Sequence, residues 1–172
     1  MTLDQWLEPW TRKSTEVQTR VKTALDFLRK HYGNNDAKIL SEIKCIDFSR
    51  PVGLPNLLRG MKLTGSKDPR NSPYRAVYFT RSGHPAERLG IATEGNLHSN
   101  PKIMAKVLNR YEVIVLVPQG EVLESICAPA SDHWSVKGRT VLASGGGVQY
   151  LIPNMNRYLR FIEDSGKSAY AG

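Results

Sequence analysis

Asp47-Phe48-Ser49-Arg50-Pro51-Val52-Gly53-Leu54-Pro55 divides the chain into two textures. Two prolines and a glycine in so short a run replace helix with extended, turning backbone, so the residues on either side are read by different rules. Upstream, Val17, Val21, Ala24, Leu25, Leu28 and Tyr32 recur at the three-and-four spacing of one helix face, which predicts a helix over Thr11 to Tyr32 with Gly33 as its stop. Asn35 or Asp36 caps a second, shorter helix through Ile39, Leu40 and Ile43. Downstream, short β-type runs alternate with turns: Asn56 to Leu63, Tyr74 to Thr80, Tyr111 to Val117, Val122 to Cys127, Thr140 to Ala143 and Val148 to Ile152. One helix is expected to cross at Asn100 to Asn109, with Pro101 in its first turn. A last helix is expected from an Asn154 cap through Tyr158, Phe161 and Ile162 to Gly166. The result is an α+β chain: a helical segment over 1–44, then a β-rich body over 45–172, in one compact unit.

A chain of 172 residues with 40% apolar content suits a single core of ordinary size. No run reaches the roughly 20 apolar residues of a membrane-spanning helix, and Met1 to Trp10 carries Asp4 and Glu8 without an apolar core, so neither anchor nor signal peptide is expected. Cys45 and Cys127 are far apart and lack Cys or His partners at metal-ligand spacing, so two buried thiols are expected rather than a zinc site or disulfide framework. The net charge of +8 favours polyanions, whether nucleic acid, a phosphate-bearing nucleotide or an acidic protein. Its basic residues are spread along the chain, so no dedicated basic tail is present.

The most informative residues for chemistry are Ser144-Gly145-Gly146-Gly147-Val148-Gln149-Tyr150-Leu151-Ile152-Pro153. Glycines adopt positive φ and let a ligand approach the backbone, so three of them before Gln149 suggest a site; a flexible hairpin turn with Gln149 on a solvated face is the alternative. Asp132 and His133 are adjacent, and neighbours on extended backbone point to opposite faces, which speaks against a relay between them. Asp132 is expected to fix a turn or to touch the ligand, and Trp134 to pack beneath the site or against the ligand. His84 and His98 fall in turns, where function or plain solvation are both open, and His31 is expected on the helix surface. Arg59, Arg75 and Arg81 lie in or beside predicted strands, and their forked guanidinium groups match a pyrophosphate if they converge.

Dinucleotide-binding, Walker A, nucleophile-elbow and zincin motifs are all missing. What remains is chemistry that depends on positioning and electrostatics. Cleavage of the nicotinamide–ribose bond fits, because its leaving group is already cationic. Metal-independent RNA cleavage through a 2′-hydroxyl, with His84, His98 or His133 as base, is the alternative. A non-enzymatic binding module is a third reading.

Taken in order, Ile46-Asp47-Phe48-Ser49-Arg50-Pro51-Val52, Tyr78-Phe79 with Leu89-Gly90-Ile91, Ser125-x-x-x-Pro129-x-x-Asp132-x-Trp134-Ser135 and Gly145-Gly146-Gly147-Val148-Gln149-Tyr150 resemble the bacterial polymorphic toxin type 46 domain over about residues 44 to 153. The pattern departs at Glu124 and Ile126, where a basic residue and a threonine are expected. The second half is also similar to the necrotizing-toxin NAD glycohydrolases, which are related in fold to ADP-ribosyltransferases. This resemblance implies a twisted, mostly antiparallel β body and hydrolysis of NAD or NADP, as substrate rather than cofactor, with no metal. It places Gln149 in the NAD pocket. Assigning Arg59, Arg81 and Tyr78 to the remaining roles follows only their order along the chain. On this reading Arg81 and Asp132 join Gln149 in catalysis, Arg59 and Arg75 hold the pyrophosphate with Tyr78 beside the dinucleotide, Gly145, Gly146 and Gly147 admit the nicotinamide ribose, and Trp134 or Tyr150 stacks on a ring. Protein-modifying transferases usually carry a glutamate where Gln149 stands, which favours hydrolysis over transfer. The class further implies a secreted effector acting in a target cell's cytoplasm, in competition between bacteria, and a cognate immunity protein; under the ribonuclease alternative the partner is nucleic acid.

Overall fold

The computed structural model of the chain describes residues 1–65, 77–80, 111–136, 139–153 and 159–164. Helices come first: α1 (Leu3–Leu7), a 3-10 turn (Glu8–Arg12), α2 (Thr15–Tyr32) and α3 (Asp36–Ile43). The sequence expected α2 to begin at Thr11; the Ser14 hydroxyl instead accepts from the Val17 amide at 3.3 Å and caps the helix there. Gly33, at φ +58°, ends it. Asn35 caps α3 as expected, its side chain accepting from the Lys38 amide. The short α1, which the sequence reading missed, is held by reciprocal bonds between Thr2 and Gln5.

Among the described residues eight strands follow: β1 (Leu57–Gly65), β2 (Val77–Phe79), β3 (Tyr111–Pro118), β4 (Leu123–Ile126), β5 (Ala130–Val136), β6 (Arg139–Ala143), β7 (Val148–Ile152) and β8 (Leu159–Asp164). They form sheets of order β1-β3-β8 and β2-β7-β4 and a β5-β6 pair, and every described pairing is antiparallel. The architecture is thus α+β, helices then antiparallel strands, as the sequence led one to expect.

Two expectations are corrected here. The last helix is instead β8, which pairs Phe161 with Ile114 and Ile162 with Val113. So short a helix is marginal by itself, whereas a third strand completes a sheet whose next strand is rich in valine and isoleucine. Asp132, expected to fix a turn, sits within β5 opposite Val141, and Trp134 lies in the same strand. The helix expected at Asn100 to Asn109 lies outside the described residues.

Two cores meet on β7. Leu3, Val21, Ala24, Phe27, Leu28, Ile39 and Ile43 from the helices enclose Leu123 and Leu151, together with Ile46 and Phe48. Leu58, Leu63, Val117 and Phe79 enclose Val122, Tyr150 and Ile152. Alternate residues of β7 therefore enter opposite cores, the period-two geometry of a strand buried on both faces, while β4 buries Leu123 and Ser125 on one face and leaves Glu124 and Ile126 half-buried on the other. The dividing segment borders β4 on its free side: Gly53 and Glu124 exchange backbone bonds at 3.0 and 2.9 Å, and the Asp47 amide donates to Ile126 at 2.8 Å. Between these bridges the chain bulges out and drives Phe48 into an aromatic group, 6.0 Å from Trp6 and 5.3 Å from Trp10. The Arg20 guanidinium donates to the Phe48 carbonyl at 3.2 Å and closes the bulge onto α2.

His31 is a third correction. Its side chain is only 4% exposed, because it continues the buried stripe of Ala24 and Phe27 along α2. The ring lies against Phe27 with centroids 4.6 Å apart, and Nε2 is 3.0 Å from the Gly120 carbonyl.

Candidate active site

The glycine run leaves β6 and enters β7. Gly145 is buried with φ +66°, and a Cβ there would stand 2.6 Å from the Cys127 carbonyl oxygen and 2.7 Å from the Ala128 carbonyl carbon. Only glycine fits. The approach is locked by two backbone bonds, Gly146 amide to Cys127 carbonyl at 2.8 Å and Cys127 amide to Gly147 carbonyl at 2.9 Å. The open face expected at Gly145 is thus filled by the protein's own backbone. Gly146 is different: it is exposed at φ +86°, with nothing within 4 Å of its Cβ direction.

The lock aims the next strand. Gln149 lies opposite Ser125 of β4 and points toward the helical side, on the same face as Leu151. Its side chain is buried, with the residue 4% exposed, so the solvated-face alternative is overturned. Gln149 Nε2 donates to the Cys45 carbonyl at 3.1 Å and to Ser125 Oγ at 3.1 Å. The Cys45 carbonyl also accepts from the Ala128 amide at 2.9 Å. One buried node therefore joins the end of α3, the start of the dividing segment, β4 and β7.

Other expected site residues distribute unevenly. Arg59 is exposed on β1, at a bulge where Gly60 takes φ +65°. Tyr78 lies in β2 opposite Leu151, and Asp132 and Trp134 lie in β5. Tyr150 is corrected: at 1% exposure it packs in the second core and is not open to stack on a nucleotide. Arg75, Arg81, His84 and His98 lie outside the described residues. Residues that the reading of chemistry passed over are Ser125, 1% exposed beside Gln149, and Thr80, whose hydroxyl donates to the Val148 carbonyl at 2.8 Å. Ser125 opened one of the motifs, yet its spacing gave no sign that it would face Gln149.

Of the two thiols expected to be buried, Cys127 is and Cys45 is not. Cys127 is buried, and desolvation followed by the nearby Cys45 pushes its pKa up to about 12. Cys45 is exposed rather than buried, because it sits past the last turn of α3 with its thiol on the Ser41 carbonyl. Desolvation and then Glu42 raise its pKa, while Lys44 and Lys38 act the other way. Nearby, Trp10, Lys13, Val17, Asp47, Phe48 and Pro129 line an open cleft of about 370 Å³ between the helices and the dividing segment. Among the described residues no three His, Cys, Asp or Glu side chains gather as a metal site, and no helix is long and apolar enough to cross a membrane.

Helices packed against antiparallel strands, with a glycine lock feeding a strand that carries a buried Gln149, define an α+β domain. Residues 12–158 match the model of bacterial toxin 46, and the chain belongs to that family. The match reaches well into the helices, beyond the motifs that suggested it. The NAD(P)(+) glycohydrolase toxin Tse6 of Pseudomonas aeruginosa is 36% identical over 104 residues, covering 60% of this chain and 23% of that protein. The chain therefore spans less than a quarter of that relative's length. A solved structure of Tse6 in complex with Tsi6 is similar at 26% identity and a TM-score of 0.52, covering 86% of this chain and 98% of the Tse6 chain.

Proposed function

We propose that this chain is the NAD(P) glycohydrolase domain of an antibacterial toxin. The 36% identity to a glycohydrolase toxin carries this reading, and the buried, oriented Gln149 is the element of the structure that suits it. In the reaction, the bond between ribose C1′ and the nicotinamide nitrogen breaks and its electron pair leaves with the now neutral nicotinamide. Water bonds to C1′ and gives up a proton, which yields ADP-ribose or its phosphate. A cationic leaving group needs no acid, so the protein's task is to hold the ribose and direct the water. Gln149 is assigned to the ribose hydroxyls or the water, with Arg81 and Asp132 contacting the reacting end. Arg59 and Arg75 hold the pyrophosphate, with Tyr78 and Trp134 against a ring.

The same reading makes the chain a secreted effector that acts in the cytoplasm of a competing bacterium. It implies a cognate immunity protein, with an acidic face that answers the +8 charge. Purified protein incubated with NAD or NADP, with nicotinamide followed by chromatography and total RNA in a parallel tube, tests the proposal. Rapid nicotinamide release, lost in a folded Gln149→Ala variant while RNA stays intact, is the expected result. Stable NAD and NADP with degraded RNA would replace it with ribonuclease activity, and no change in either would replace it with a binding role.

A further inference from the structure

An amide side chain has two N–H donors and one acceptor oxygen, and which end faces a ligand decides what it can do. At Gln149 the choice is fixed by its neighbours. The Cys45 carbonyl can only accept, so the group facing it at 3.1 Å must be the NH2 end. Ser125 Oγ, opposite on β4 and 1% exposed, takes the second N–H at 3.1 Å. The Cys45 carbonyl also follows the last turn of α3, where the helix dipole adds partial negative charge and further disfavours an oxygen in that place. With both donors committed, only Oε1 is left to meet a ligand.

We propose, resting on the glycohydrolase reading, that Ser125 is a positioning residue that holds Gln149 as a pure hydrogen-bond acceptor in the reaction. Oε1 then receives a proton-bearing partner, a ribose hydroxyl or the attacking water. A donor role toward the ribose ring oxygen or the nicotinamide carbonyl is excluded. For the water, accepting one O–H turns a lone pair toward C1′. That advantage is lost if the amide rotates. Ser125 touches no reacting atom; it acts by removing the second rotamer and by satisfying a donor that would otherwise be buried and unpaired.

A double-mutant cycle tests this, with nicotinamide release measured for the wild type, Ser125→Ala, Gln149→Ala and the double variant. Absence of release from the wild-type protein would overturn the glycohydrolase reading, and is seen before any variant is compared. Given release, Ser125→Ala should lower kcat/KM about tenfold, the scale of one hydrogen bond left unmade. It should cause no further loss in the Gln149→Ala background. Full activity of Ser125→Ala, or losses that multiply in the double variant, would overturn the positioning role alone. If Ser125→Ala does not fold, Ser125→Cys, similar in size but a weak acceptor, takes its place in the cycle. NMR supplies a readout independent of turnover: both Gln149 side-chain amide protons should be slow to exchange in the wild type, and one should become fast in the Ser125 variant. Two fast protons in the wild type would also overturn the proposal.

Discussion

Gly145→Ala separates the two uses a glycine run can have. If the run were an open cradle, a methyl group at Gly145 would obstruct a ligand and leave folding nearly untouched. The structure places that methyl 2.6 Å from the Cys127 carbonyl oxygen and 2.8 Å from that of Ala128, both backbone atoms that no side-chain rotation can clear. Positive φ with a Cβ costs about 1–2 kcal/mol. Relieving the clash means separating the strands, which sacrifices the bonds between Gly146 and Cys127 and between Cys127 and Gly147 at about 1 kcal/mol each. The total is about 3–4 kcal/mol, or a urea midpoint lowered by about 1.5–2 M for an m-value near 2 kcal/mol/M. Gly146→Ala is the control. It shares the positive φ but meets no atom within 4 Å, so it should cost only about 1–2 kcal/mol. Urea unfolding of both variants, with m unchanged, reads the difference. Equal midpoints would refute the claim that Gly145 is fixed by backbone packing.

Gln149→Glu should make stability depend on pH. A carboxylate facing the Cys45 carbonyl in a buried site is disfavoured, so its folded pKa lies above the unfolded value of about 4.3. The folded state then binds the extra proton, and stability should fall, relative to the wild type, as pH rises through about 4.3 until the folded pKa is passed; parallel curves for the two proteins would contradict the orientation of the amide. Phe48→Ala empties the aromatic group beside Trp6 and Trp10 and should cost about 3–5 kcal/mol by chemical unfolding, with altered tryptophan fluorescence; a loss below about 1 kcal/mol would show that the bulge does not anchor the helices. Iodoacetamide at pH 8 should label Cys45 slowly and Cys127 only after unfolding, because Cys127 is buried with its pKa pushed up to about 12. Mass spectrometry that finds Cys127 modified first in folded protein would refute this.

How far the fold could be read from the sequence depended on whether a pattern fitted one period or two. The stripe from Val17 to Tyr32 suits only a helix, and α2 follows it, with the ladder strands β1, β3 and β7 close to their expected bounds. Leu159-Arg160-Phe161-Ile162 suits both: Tyr158, Phe161 and Ile162 fall at helical spacing, while Leu159 and Phe161 alternate as in a strand. The decision belonged to β3, which has an edge to fill and lies more than 40 residues earlier in the chain. His31 failed for a different reason. Residue type was allowed to outweigh its place on the stripe, and the Gly120 carbonyl that satisfies its ring is invisible locally.

The site was legible as an anomaly and not as a geometry. Three glycines announce a special backbone, but only the partner can say whether the space they leave is for a ligand or for Cys127 and Ala128. Likewise Gln149 stands out as the amide within an apolar strand, yet the carbonyl that orients it belongs to Cys45, 104 residues away. The link is nonetheless a consequence of the alternating pattern. With Tyr150 and Ile152 in one core and Leu151 in the other, Gln149 must share the helical face of Leu151, where it meets the Cys45 carbonyl that the chain brings as it leaves α3 and the Ser125 hydroxyl of β4. Such a face does not admit an amide unless its donors are met, since each unmet one costs about 1–3 kcal/mol. Cys45 and Ser125 meet them, so the helices act on the strand through a fixed hydrogen bond as well as through apolar contact.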